Sequence, residues 1–131
     1  MPSFGTLKAD TLTHSTAGSL ATNYVVEGSA KAWVNFTCVS STSARDSLNV
    51  SSLTDLATGS TRVTYTSAMN NANYSATGYS NFDAAFAEGD FDATLDDRGL
   101  GLVGRATTTI QHYSYTIDAA QQDVQVLGDL A

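Results

Sequence analysis

Residues 31–39 carry the pattern that most restricts what this chain can fold into. Ala32, Val34, Phe36 and Cys38 occupy every second position, with Trp33, Asn35 and Thr37 between them. A strand turns successive side chains to opposite faces, so this period of two predicts a strand with one apolar face. The alternation returns in residues 61–67, where Val63 and Tyr65 oppose Arg62, Thr64 and Thr66. The polar residues point the same way. Charged residues make up only 15% of the chain, against about a quarter in an ordinary globular domain. Ser, Thr, Asn and Gly fill the polar positions instead, and the first three compete locally with helical hydrogen bonding. The good helix formers Glu and Lys are confined to Glu27, Glu88, Lys8 and Lys31.

Around these two segments the rest of a β body can be laid out. Residues 40–43 read as a small polar turn and 44–54 as a second strand bearing Leu48, Val50 and Leu53. Leu53 breaks the parity, which predicts a bulge or an early strand end. Residues 55–60 read as a hairpin connection, with Gly59 available for positive φ. A turn-rich corner at 69–73 leads to a strand at 74–79. Residues 80–98 read as a long loop; Phe82 and Phe86 could share one face of a short helix that Gly89 would cut off. From residue 98 the β pattern resumes, with a strand in 105–117 rich in Thr, Tyr and Ile. A turn at 118–122 and a closing strand at 123–127 follow. Roughly six to eight short strands without a strong helix predict an all-β fold, an antiparallel β-sandwich of jelly-roll-like form, for residues 30–131.

Residues 1–29 differ from this body. Phe4, Leu7, Leu12, Leu20 and Tyr24 are scattered among Thr, Ser, Ala and Gly with no lasting period. Two readings stand: an extended anchoring arm with strand-like pieces that lies on the body or on a neighbouring protein, or a partly disordered terminus.

The formal net charge is -7 and the isoelectric point about 4.3, so the surface repels phosphate backbones and anionic lipid headgroups. Nucleic acid and membrane are therefore not expected partners. With Cys38 alone there is no intrachain disulfide and no C-x-x-C site. The first residues lack the basic and apolar regions of a signal peptide. No apolar run approaches the ~20 residues that span a bilayer. Synthesis and folding in a cytoplasm are the expectation.

Catalytic signatures are sparse. His14 and His112, the two histidines, lie in no recognisable motif, and a surface or interface role is the default for both. No G-x-S-x-G elbow occurs. Cys38 falls on the apolar parity of its strand, as a core thiol would. The best metal candidate is the carboxylate cluster Asp90, Asp92 and Asp96, whose oxygens suit Ca²⁺. Leu95 stands where the helix-loop-helix calcium template needs glycine, and a solvated acidic loop is the competing reading. No enzyme activity and no cofactor are expected. The aromatics say more. Trp33 lies opposite the Val34 face, and Tyr113 and Tyr115 alternate against His112 and Ser114. Large aromatics on a second sheet face suggest a covered surface, here a subunit interface; the alternative for Trp33 is a core position with the parity inverted.

The central block resembles a module of structural proteins in tailed bacteriophages, tail-fibre-like proteins of marine phages above all. The residues that carry the resemblance are Lys31, Ala32, Trp33, Val34, Asn35 and Phe36, then residues 45–55. Gly59, Val63, Thr64, Tyr65, Ala68, Met69, Asn73 and Tyr74 continue it. Residues 108–115 and 123–128 match the module's ending, and residues 7–12 a common leader. Thr37, Cys38, Val39 and Ser40 stand where the module has glycines, and the acidic segment 82–97 is particular to this chain. The resemblance implies a virion protein, assembled in the host cytoplasm. It would be a decoration, fibre or spike component, a homotrimer by expectation, docked by its arm to capsid or tail proteins. The alternative is a receptor-binding tip that takes a host surface glycan through Asn70, Asn71 and Asn73 and through Phe82, Phe86 and Phe91, on loops that could carry recognition.

Overall fold

The computed structural model describes residues 9–81, 100–114 and 118–131. Among these residues ten strands and one helix follow in order: β1 (Thr11–His14), β2 (Gly18–Ala21), α1 (Thr22–Gly28), β3 (Ala30–Thr37), β4 (Ser43–Leu48), β5 (Val50–Ala57), β6 (Ser60–Tyr65), β7 (Ser75–Asn81), β8 (Leu100–Val103), β9 (Thr109–Ser114) and β10 (Gln121–Leu127). Two four-stranded antiparallel sheets, β4-β3-β10-β7 and β5-β6-β9-β8, face each other, and β1-β2 forms a separate hairpin. The all-β antiparallel fold is thus as the alternation predicts. Among the described strands the chain changes sheet after every hairpin, following β3-β4, β5-β6 and β8-β9 alike.

The core follows from parity. Ala32, Val34 and Phe36 of β3 and Val124 and Val126 of β10 point inward from the first sheet. Val63, Tyr65 and Ile110 meet them from the second. The segment 44–54, read from sequence as one strand, is two. Asn49 sits between them at φ +55, a left-handed conformation that Asn tolerates, and carries the chain from one sheet to the other. Its side chain holds the corner: Oδ1 accepts from the Ser67 N–H at 2.7 Å and Nδ2 donates to the Ser67 carbonyl at 3.1 Å. The register then shifts between Val50 and Ser52, which is the bulge that the broken parity at Leu53 calls for. Gly59, in the β5–β6 turn, takes φ +74.

Residues 11–28 hold short strand pieces, as expected there, together with a helix that the extended reading lacks. Leu12 pairs directly with Leu20 in the hairpin, and a seven-residue helix follows. Tyr24, Val25 and Val26 favour strands, so the sequence gives no warning of it. Its start is tied to the preceding chain by Thr22, whose N–H donates to the Asp10 carbonyl at 2.9 Å and whose Oγ1 donates to the Ala9 carbonyl at 2.7 Å. Lys31 Nζ donates to the Val26 carbonyl at the far end, where a cation suits the helix dipole. No residue of the helix is buried. Among the described residues no helix is long and apolar enough to cross a membrane.

Candidate functional site

The outer face of the β4-β3-β10-β7 sheet carries a cluster of aromatic and polar side chains. Register places Leu48, Trp33, Gln125 and Thr77 in one row across the four strands, and Asp46, Asn35, Asp123 and Tyr79 in the next. Trp33 is half-buried here, while Tyr79 and Leu48 are exposed. An open, shallow concavity of about 610 Å³ runs over this face, lined by Ala30, Trp33, Thr77, Gly78, Tyr79, Asp123, Val124 and Gln125.

Its polar side chains are held in place. Asn35 Nδ2 donates to Asp123 Oδ1 at 2.5 Å, and Arg45 Nη1 donates to Asn35 Oδ1 at 3.4 Å. A register shift between Asn35 and Phe36 leaves Arg45 as the extra residue of β4. From there its second nitrogen donates to the Ala120 carbonyl at 2.6 Å. The result is a relay across three strands that fixes a carboxylate beside two aromatics. Asn35 and Asp123 are 88 positions apart in sequence, so only the fold brings them together.

Beneath this face, one end of the core is polar. Gln122 stands between Phe36 and Ser80 in register, and His112 faces them from the second sheet. His112 is fully buried, its ring edge-on to Phe36 with centroids 5.5 Å apart. The default reading of His112 as a surface or interface residue is thereby corrected. Its place on the parity of Ile110 and Ser114 was the available signal. Burial pushes its pKa down to about 4, against weaker upward effects of the Tyr79 backbone and the Asp123 charge. Ser80 Oγ lies 3.4 Å from His112 Nε2, and Cys38 Sγ 3.2 Å from Thr61 Oγ1. His112 Nδ1 and both amide atoms of Gln122 are buried without a hydrogen-bond partner. The Ser80–His112 pair has the composition of a nucleophile and base, but both are sealed from solvent.

The sequence-derived sites fall apart spatially. Trp33 lies on the outer face of the first sheet and Tyr113 on the outer face of the second, so the two share no surface. Asn70, Asn71 and Asn73 are exposed at the corner before β7, where the Asn70 N–H donates to the Asp129 carbonyl. That corner and the departure of the chain after Asn81 are at opposite ends of β7, roughly 20 Å apart at the strand rise. In the N-terminal segment Leu12, Leu20 and Tyr24 are exposed, as are Val25 and Val26. Phe4, Leu7, Phe82, Phe86, Phe91, Tyr115 and the carboxylates Asp90, Asp92 and Asp96 lie outside the described residues. Among the described residues no three His, Cys, Asp or Glu side chains gather as a metal site would require. Tyr79, Asp123, Gln125 and Thr77 were not singled out from sequence, although their parity against buried Ser80 and Val124 puts them beside Trp33 once the strands are paired. Compared with family models, curated proteins and solved structures, the chain matches none.

Proposed function

We propose that this chain is a non-enzymatic structural component of a phage virion: a small oligomeric decoration, fibre or spike element docked to capsid or tail through its N-terminal segment. One observation carries the reading. Leu12, Leu20, Tyr24, Val25 and Val26 are between 41% and 66% exposed, and all fall within residues 11–28. A hairpin of two strands and a seven-residue helix have little stability of their own. Apolar groups clustered on such a unit belong to an interface that a neighbouring protein completes. The resemblance of the body to phage structural modules supplies the class of neighbour and the expectation of a homotrimer.

The test is a map of the intact particle. The reading expects density for this chain with threefold local symmetry and residues 11–28 against a capsid or tail subunit. Purified particles that lack the chain would refute it. A second reading, a receptor-binding tip for a host surface glycan, is favoured by the aromatic-flanked concavity on the first sheet.

A further inference from the structure

We infer that the concavity on the outer face of the β4-β3-β10-β7 sheet binds a neutral saccharide chain, laid across the strands between Trp33 and Tyr79. The inference rests on the receptor-binding reading and not on the virion reading. Trp33 is opposite Gln125 on β10, and Tyr79 is opposite Asp123 on the same strand, two positions away. The two aromatics therefore stand at diagonal corners of a four-residue patch. Two strand spacings and two residue rises separate them by roughly 12 Å. That is a span for a chain of sugar rings rather than for one compact ligand.

The chemistry of the patch matches that ligand. A pyranose presents an apolar C–H face and a rim of hydroxyls. Indole and phenol rings offer flat apolar surface to the first, each with a polar edge. Between them the Asp123 carboxylate accepts from hydroxyls, and the Gln125 amide both donates and accepts. Asp123 is already oriented by Asn35, and Asn35 by Arg45, so less ordering is needed on binding. Asp46 lies in the row of Asn35 and Asp123, and the chain carries a net charge of -7. Both disfavour sulfated or carboxylated sugars. The face is shallow and holds a carboxylate near its middle, which disfavours an apolar helix or tail, since covering that charge with apolar groups would cost its hydration.

Trp33 is the chain's single tryptophan, so emission excited at the red edge of the absorption band, where the tyrosines hardly absorb, reports on this site alone. The purified full chain is titrated with neutral cello-, laminari-, malto-, manno- and xylo-oligosaccharides, with dextran sulfate as the polyanion. At least one neutral oligosaccharide should give a saturable change in Trp33 emission, and dextran sulfate none. Tyr79→Ala should weaken that binding about tenfold. Tyr79 is exposed, so a melting curve matching the parent's will show that the fold survives. Asp123→Asn, which keeps the shape and removes the charge, should weaken binding less. No saturable change with any neutral member would overturn the inference, as would preference for dextran sulfate. Calorimetric binding that leaves Trp33 emission unchanged and withstands Tyr79→Ala would overturn this site while sparing the receptor-binding reading.

Discussion

Residues 11–28 and the body from Ala30 onward draw on similar residues, yet they behave oppositely. The body aligns its apolar positions on the inner faces of two sheets and buries Phe36, Ile110 and Val126 completely. The N-terminal unit also pairs apolar residues, Leu12 against Leu20, but among the described residues no second layer covers them. Hydrophobic stabilisation comes from area removed from water, and only the body removes it within one chain. A pairing pattern is thus sufficient for local structure and insufficient for a core.

That contrast can be broken most forcefully at Phe36. Phe36→Ala should cost about 3–5 kcal/mol, read as a lower midpoint in urea unfolding. Leu12→Ser or Tyr24→Ser should stay within about 0.5 kcal/mol, as for surface positions. Comparable costs at the two places would mean that the N-terminal unit belongs to the folding core after all.

The next effect is confined to the polar end of the core. His112 is neutral when folded, with its pKa lowered to about 4 from an ordinary 6.5. The unfolded chain therefore binds a proton that the folded chain refuses between those values. Stability is full above about pH 6.5 and falls as the pH drops toward 4. The shift corresponds to roughly 3 kcal/mol. His112→Leu should flatten this part of the stability profile, measured by urea unfolding from pH 7 to 4. An unchanged slope would remove His112 as the cause.

A smaller cost is expected at the sheet-switching corner. Asn49→Ala loses both hydrogen bonds to Ser67 and places a less tolerant residue at φ +55. About 1–2 kcal/mol should be lost. Asn49→Gly separates the two effects, since it keeps the backbone conformation and loses only the bonds.

How much of this was legible in sequence depends on distance along the chain. The strand at 31–39 and its buried face were legible because alternation is local. So was the Leu53 irregularity. The change of sheet at Asn49 was not, because one Asn inside a β-favouring stretch permits a left-handed corner without requiring it. Nor was the helix at Thr22–Gly28, whose Tyr24, Val25 and Val26 argue for a strand. The concavity was half legible. Trp33 stood out by parity, but Asp123 and Tyr79 join it only through pairing across β10, which no single stretch encodes.

The division of labour between the two regions is tested most directly by deleting residues 1–25 and measuring how much of the shortened chain enters assembled particles. The expected result is a body with near-parental melting that is missing from the particle. Incorporation at the level of the full chain would contradict the assignment of the N-terminal segment to docking.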